Sequence, residues 1–213
     1  MKVLPIALLL IGFVAGSPSA NRFVDSVLST FFWRELKSQN LDPVSLPNLN
    51  TDFQDKIPII GKVKVTANYT DGRLTGLESV FRRSECQGPY YSYGSPHINC
   101  TIGFNNLSLH YNAKMKYGKM PKVSVTANGN ITGTLVFVDF MHKYQHPEVN
   151  NLQFSAMGEM KIEFSGLGPL NRFLHILEPG LKSHVSGNVA NIINNPFRNA
   201  LNRAAAHGEW PKY

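Results

Sequence analysis

The spacing of apolar residues changes twice along the chain, and it divides the chain into a helix, a run of strands and a second helix. Between residues 21 and 39 apolar side chains recur every three or four positions, the period of an amphipathic helix. They are Phe23, Val24, Val27, Leu28, Phe31, Phe32 and Leu36. Pro43 and Pro47 then exclude a continued helix through the connector 41–49.

From about residue 58 the period becomes two, which indicates antiparallel strands with one buried and one solvated face. The longest alternation covers 107–117, where Leu107, Leu109, Tyr111, Ala113, Met115 and Tyr117 share one face. We predict further strands over 63–67, 74–81, 123–127, 131–141 and 152–164. Asp71-Gly72 and Asn128-Gly129 predict hairpin turns, and Gly118 predicts another turn.

The helical period returns at Gly168. Its apolar stripe consists of Leu170, Phe173, Leu174, Leu177, Leu181, Val185, Val189, Ile192 and Ile193. Pro179-Gly180 and Pro196 are predicted to break or kink this helix. The simplest arrangement is an α+β fold, in which a strongly twisted antiparallel sheet wraps around the helix. Periodicity leaves open whether the space between them is a long apolar cavity or a dry core.

The first residues have the order of a secretory signal peptide. Lys2 precedes the apolar run 3–14, and small residues follow. The run is too short for a membrane-spanning helix, and no later segment is apolar enough to be one. We predict cleavage after Gly16 or as late as Ala20, a single domain over 21–205, and a loose tail over 206–213. The mature protein is therefore predicted to be secreted and extracellular.

An oxidising compartment changes how the two cysteines are interpreted. Cys86 and Cys100 are predicted to form a disulfide, since no further ligand pair or catalytic signature surrounds either of them. Four sequons, at Asn68, Asn99, Asn106 and Asn130, indicate glycosylation. Asn99 is the doubtful acceptor, because disulfide formation at the adjacent Cys100 competes with it.

No catalytic or cofactor signature is present. The sequence has no nucleophile elbow, HExxH zinc motif, phosphate loop or glycine-rich dinucleotide motif, and its carboxylates are scattered. His142 and His146 lie beside Pro147 in a predicted turn, which argues against a metal site. The net charge of +7 favours anionic partners in general, but no nucleic-acid-binding motif accompanies it. The sequence therefore predicts a non-enzymatic protein without cofactor or metal.

Two surface features leave alternatives open. Lys114, Lys116, Lys119 and Lys122 cluster around the Gly118 turn. They suit contact with lipid phosphates or an anionic membrane surface, or they form a solvated hairpin that discourages edge pairing. Tyr90, Tyr91 and Tyr93 lie in the segment closed by the predicted disulfide, where they gate a cavity, touch a membrane or simply pack within the loop.

The order of elements, the connector Leu-Asp-Pro-Val-Ser-Leu-Pro and the segment Leu167-Gly-Pro-Leu-Asn-Arg-Phe-Leu-His-Ile-Leu resemble the mite group 7 allergen family. That family is similar to the lipid-binding module of bactericidal/permeability-increasing protein, lipopolysaccharide-binding protein, takeout and juvenile-hormone-binding proteins (the TULIP superfamily). The resemblance covers about residues 21–205. The loop between Cys86 and Cys100 departs from the family's pattern.

The resemblance implies a highly curved sheet around a long helix, with an apolar groove for a lipid or terpenoid-like ligand. Together with the apolar faces, it predicts a groove wall of Phe23, Val27, Phe31, Leu107, Leu109, Tyr111, Met115, Leu174, Leu177, Leu181 and Val185. The expected function is binding of an apolar ligand as carrier or sensor. Recognition of anionic microbial surfaces such as lipopolysaccharide is the alternative.

Overall fold

The computed structural model describes residues 16–57 and 61–212. Residues 1–15, which include most of the predicted signal peptide, lie outside the described residues, as do residues 58–60 and Tyr213.

The N-terminal helix begins with Pro18–Ser26, passes through a π-helical turn at Val27–Phe32 and ends with Trp33–Ser38. It starts before the predicted position, because the Ser17 hydroxyl accepts a hydrogen bond from the Ala20 amide (3.4 Å) and proline suits the first turn. The predicted apolar stripe forms its buried face, except that Phe31 is only half-buried.

Eleven antiparallel strands follow. They are β1 Val44–Leu46, β2 Leu49–Ile57, β3 Gly61–Thr75, β4 Val80–Arg82, β5 Gln87–Ser92, β6 Ser95–Phe104, β7 Leu107–Tyr117, β8 Val123–Thr132, β9 Thr134–Lys143, β10 His146–Ala156 and β11 Glu159–Ser165. One sheet of six strands has the order β1-β3-β7-β8-β11, with β2 also paired to β3. The other has the order β10-β9-β6-β4, with β5 paired to β6.

The two sheets are the two arms of one bent sheet. Phe104 pairs with Thr134 in the five-stranded arm, and three residues along each strand Leu107 pairs with Ile131 in the six-stranded arm. Strands β10 and β11 keep their register with β9 and β8 across the same bend. Because the register is unchanged, the predicted long, strongly curved antiparallel sheet is confirmed.

A carboxylate from the connector fixes the bend at the β3–β4 turn. The Asp42 side chain accepts hydrogen bonds from the backbone amides of Gly76 (2.9 Å) and Glu78 (3.0 Å). These bonds satisfy amides at the start of the short helical turn Leu77–Ser79. The Asp-Pro pair of the connector therefore has a structural role.

The predicted hairpin turn at Asp71-Gly72 is wrong, because both residues lie inside β3. They form a β-bulge opposite Tyr111, since the pairing of β3 with β7 shifts between Thr70 and Arg73. A Cβ atom on Gly72 would overlap the Tyr111 ring. The Tyr111 hydroxyl donates to the Pro47 carbonyl (2.9 Å), so packing of this ring requires glycine in an otherwise extended strand.

The predicted turn at Asn128-Gly129 is also wrong, because both residues lie in the middle of β8. Gly129 pairs with Leu109, and a Cβ atom there would lie 3.0 Å from the Leu109 Cγ. Asn128 faces solvent, where its Oδ1 lies 2.8 Å from the His110 Nδ1. Cross-strand packing therefore decides this position, and the local preference of Asn-Gly for a turn does not.

The C-terminal helix comprises a 3₁₀ turn at Gly168–Phe173, an α-helix at Leu174–Ile192, a π-helical turn at Ile193–Phe197 and a final α-helix at Arg198–Ala205. Neither predicted break occurs. Pro179 and Gly180 are exposed, so the carbonyl that Pro179 leaves unpaired faces water and not the core. Pro196 lies within the π-helical turn, whose wider spacing accommodates a missing amide.

The two halves of the C-terminal helix pack against different arms of the sheet. Its first half lies across the concave face of the six-stranded arm and contacts both edge strands, β2 and β11. Its last turns pack against β10 and the N-terminal helix. The sheet thus wraps around the long helix, as predicted.

The structure differs from the predicted loose tail between residues 206 and 210. The His207 ring lies 5.8 Å from the Phe31 ring, and the Trp210 ring lies 5.1 Å from the Phe23 ring. A single tryptophan after a polar stretch gives no periodic signal, so only the packed structure reveals this contact.

Candidate functional site

The predicted groove wall is divided between the two arms. On the six-stranded arm, the β7 residues Leu107, Leu109, Tyr111 and Met115 are buried together with Leu177, Leu181 and Val185 of the C-terminal helix, and Leu174 is half-buried. The three candidates from the N-terminal helix lie elsewhere. Phe23 packs against Phe140 of β9 (5.4 Å), so Phe23, Val27 and Phe31 belong to the five-stranded arm.

The two arms also differ in how completely their inner faces are covered. In the five-stranded arm, inward-facing Ile98, Ile102, Val136, Val138 and Phe140 have no solvent exposure, and Val80 and Phe154 of its edge strands are partly buried. In the six-stranded arm, Phe53, Val63 and Val123 near the Gly118 turn are only partly buried. So are Leu174 at the start of the C-terminal helix, and Ile162 and Phe164 on the edge strand β11, level with Leu109 and Tyr111. Among the described residues, the inner face of this arm is therefore an apolar groove that is open near the Gly118 turn.

A concavity of about 590 Å³ lies at this open end, which we call the mouth. Its lining consists of Lys62, Val63, Lys64, Tyr117, Gly118, Lys119 and Met120. The Phe173 ring, at the start of the C-terminal helix, stacks on Tyr117 (centroids 4.8 Å apart) and lies 6.5 Å from Phe53. The Phe173 ring thus lies between those of Tyr117 and Phe53 at the inner end of the mouth.

Two tyrosine hydroxyls on the inner face are buried without a hydrogen-bond partner, those of Tyr69 and Tyr117. A buried hydroxyl left unpaired costs about 1–3 kcal/mol. The Tyr69 hydroxyl is a donor at neutral pH, as any tyrosine hydroxyl is, and burial raises the pKa of Tyr69 to about 12, so it keeps its proton in alkaline solution too. Burial likewise raises the pKa of Tyr111 to about 12, but that hydroxyl is paired with Pro47. The groove thus contains hydroxyl groups able to bind an oxygen atom.

Lysines surround the mouth on the outer surface. Lys114 and Lys116 project from the solvent face of β7, and Lys119 and Lys122 lie in the turn after it. The pairing of β3 with β7 brings Lys62 and Lys64 to the same end of the sheet. They are distant along the chain from the other four lysines, so the sequence alone does not group them. Lys64 forms an ion pair with Asp52 (3.0 Å).

The sequence from residue 19 to residue 204 matches the model of the Group 7 allergen family. The chain belongs to the Group 7 allergen family. No curated protein matches it at the same level of significance.

Two solved structures are distant likenesses of this family member. Lipopolysaccharide binding protein shares 14% identity over 88% of this chain, with a TM-score of 0.48. The match spans 37% of that protein's length. Takeout 1 of Epiphyas postvittana shares 11% identity over 88% of this chain and 90% of its own, with a TM-score of 0.45. The strand pairings of this chain itself establish its fold.

The segment between Cys86 and Cys100 is a hairpin. It is here that this Group 7 family member departs from the expected pattern of the family. Cys86 and Cys100 form the predicted disulfide. Strands β5 and β6 pair between them, and Tyr93 is fully exposed at the tip. Tyr90 stacks on His97 (5.9 Å). The hairpin belongs to the five-stranded arm, whereas the mouth lies in the other arm.

The four sequon asparagines differ in their surroundings. Asn68, Asn106 and Asn130 are exposed. The Asn99 amide nitrogen donates to the Tyr90 hydroxyl (2.7 Å), and its side-chain oxygen is buried. The folded environment of Asn99 therefore adds to the reasons for expecting no glycan there.

Two further features concern metals and membranes. His142 packs against the Trp210 ring (5.5 Å), and among the described residues no three His, Cys, Asp or Glu side chains are grouped to hold a metal ion. Within the same residues, no helix combines the length and apolar character needed to cross a bilayer.

Proposed function

We propose that this protein is a secreted, non-catalytic carrier or sensor that binds a lipid or terpenoid-like ligand in the groove of the six-stranded arm. The observation that supports the proposal is the incomplete burial of apolar residues on its inner face, including Phe53, Val123 and Phe164. Exposed apolar surface of this kind is stabilised by an apolar ligand. The mouth, at about 590 Å³, lies within the usual size range of ligand sites.

The position of the C-terminal helix supports a ligand that lies lengthwise. The first half of this helix contacts the edge strands β2 and β11, while its buried stripe of Leu177, Leu181 and Val185 faces the centre of the sheet. A ligand entering at the mouth would follow this stripe inward. An elongated hydrocarbon chain therefore fits the groove better than a compact, highly polar molecule.

A bulky residue at Val123 is expected to block the groove. Val123 is half-buried on the inner face at the open end, so Val123→Trp fills space next to the mouth without replacing a fully buried side chain. We expect affinity for the neutral fluorescent probe N-phenylnaphthylamine to fall by about tenfold or more, equivalent to about 1.4 kcal/mol. Fluorescence titration of the purified, glycosylated protein measures the effect.

The matched control is Val80→Trp, which places the same bulk at a half-buried valine of the five-stranded arm. It should leave probe binding within about twofold of the unchanged protein. Equal losses in both variants would contradict the assignment of the groove to the six-stranded arm. No probe binding by the unchanged protein, together with no lipid in native mass spectra, would contradict the proposed function itself.

Binding to anionic surfaces is the second candidate function. It is favoured by the position of six lysines around one end of the sheet, of which only Lys64 has an ion pair among the described side chains. Such a surface attracts vesicles of anionic lipid or lipopolysaccharide, and each lysine near the membrane contributes about 1 kcal/mol.

Reversing three of these charges tests that candidate. The triple variant Lys114→Glu, Lys116→Glu and Lys119→Glu is expected to weaken binding to phosphatidylserine vesicles by at least about tenfold, and raising the salt concentration should weaken the unchanged protein in the same way. Vesicle co-sedimentation is the measurement.

A triple charge reversal on other surfaces provides the control for net charge, with Lys143→Glu, Lys161→Glu and Lys182→Glu. If both triple variants bind equally, the lysines around the mouth are an ordinary solvated face.

A further inference from the structure

We infer that the ligand of the groove carries an anionic head group, which Arg172, Lys62 and Lys119 hold at the mouth. The inference rests on the proposed function, since it names the chemical class of the ligand that the same groove binds. An acyl chain with a carboxylate is the simplest molecule with this chemistry.

Arg172 is held in place by aromatic rings. Its guanidinium carbon lies 5.1 Å from the centroid of Tyr117 and 4.8 Å from the centroid of Phe173. Stacking on rings orients a guanidinium without neutralising it, so its donors remain available for a carboxylate or phosphate. Arg172 is exposed at the point where the C-terminal helix meets the end of β7.

Three positive charges at the mouth have no carboxylate partner among the described side chains. Lys62 and Lys119 line the concavity and are exposed, and among the described side chains neither they nor Arg172 form an ion pair. Two of the described carboxylates have other partners, since Asp52 pairs with Lys64 (3.0 Å) and Glu178 with Lys182 (2.7 Å). The positive potential at the mouth therefore favours an anion.

Apolar surface begins directly beneath these charges. Val63 and Met120 line the concavity, and half-buried Leu174 continues the apolar surface into the groove. The cationic groups and the apolar surface thus match the two ends of an amphipathic molecule, with its head outside and its chain inside.

The unpaired hydroxyl of Tyr117 adds a polar group at the boundary between the two. Tyr117 is more than nine-tenths buried, its ring contacts both Arg172 and Phe173, and its hydroxyl has no partner. A head-group oxygen that reached this hydroxyl would accept a hydrogen bond from it. Arg172 and Tyr117 therefore act on the same end of the ligand.

Competition between three twelve-carbon ligands tests this inference. Dodecanoic acid, methyl dodecanoate and dodecanol displace N-phenylnaphthylamine from the full-length protein at neutral pH, where the acid is ionised. We expect the acid to bind about tenfold more tightly than the ester or the alcohol. Arg172→Gln should remove most of this preference and leave affinity for the ester within about twofold. High salt should reduce the preference too.

Arg203→Gln is the matched control, since Arg203 is exposed on the same helix but far along it from the mouth. It should keep the preference for the acid. The double variant Lys62→Gln and Lys119→Gln changes only exposed residues and gives a second route if Arg172→Gln is poorly folded by circular dichroism. Tyr117→Phe should lower affinity for the acid severalfold.

The outcomes distinguish a failure of the head-group inference from a failure of the proposed function. If the probe binds but the three ligands compete equally, the head-group inference is overturned while the apolar groove stands. If Arg172→Gln and the double lysine variant both keep the full preference for the acid, the anion is held elsewhere and the inference is equally overturned. If neither probe nor ligand binds, the proposed function fails first.

Discussion

Replacing Phe197 with alanine is expected to lower the free energy of unfolding by about 3–5 kcal/mol. Phe197 is fully buried in the π-helical turn of the C-terminal helix, and its ring packs against Phe32 of the N-terminal helix (4.8 Å) and Phe104 of β6 (5.3 Å). It therefore joins both helices to the five-stranded arm. The Phe32 and Phe104 rings beside such a cavity are themselves buried, so the surrounding structure can collapse only partly.

Denaturant unfolding monitored by circular dichroism measures this loss. Phe53→Ala is the informative comparison, because Phe53 is half-buried at the mouth and contacts Phe173 (6.5 Å). We expect it to cost less than half as much as Phe197→Ala, since water already reaches part of that side chain. Equal costs for the two variants would show that the six-stranded arm is as tightly packed as the other arm, which contradicts an open groove.

Removing the disulfide is expected to lower stability by about 3 kcal/mol and to leave ligand exchange unchanged. The bond joins Cys86 and Cys100, which are 14 residues apart, and restricts the unfolded chain. The same segment holds the start of the N-terminal helix, since the Cys86 amide donates to the Asn21 side chain (2.8 Å) and the Ser17 amide donates to the Cys86 carbonyl (2.9 Å). These contacts lie in the five-stranded arm, so we expect the bond to act as a staple.

The double variant Cys86→Ala and Cys100→Ala tests this expectation without reductant. Its melting temperature should fall, while the rate at which N-phenylnaphthylamine leaves the folded protein should stay within about twofold of the original. A faster release with little loss of stability would instead indicate that the tyrosine-bearing hairpin gates the groove. Thiol labelling under denaturing, non-reducing conditions checks the bond itself, and two reactive thiols per chain would contradict it.

These two predictions depend on one contrast between the arms. The five-stranded arm, closed by the N-terminal helix and the last turns of the C-terminal helix, stabilises the molecule. The six-stranded arm is covered by the first half of the C-terminal helix, and its described inner residues near the mouth keep part of their exposure. Stability and ligand binding are therefore expected to respond to substitutions in different parts of the chain.

The order of a helix, a run of strands and a second helix follows from the sequence. The strands predicted at 74–81, 131–141 and 152–164 are wrong in detail, because each covers parts of two strands, and β1, β2, β5 and β6 were not predicted. Burial of one face of an element is enough to produce a periodic pattern. This explains the helical stripe from Phe23 to Leu36 and the alternation from Leu107 to Tyr117. The disulfide followed from the number of cysteines, and the family followed from the connector and the start of the last helix. Such features are local, so a short stretch of chain is sufficient to predict them.

Where the chain turns, and which apolar faces meet, depended on contacts between residues that are distant in the sequence. Asn128-Gly129 remains in a strand because Leu109 from the neighbouring strand occupies the space above Gly129, a contact between distant residues. The same limit applies to the site. Periodicity assigned Phe23 and Leu177 to one wall, but the bend of the sheet separates them into different arms. Arg172 was not predicted at all, because its position over Tyr117 exists only after the last helix packs across the sheet.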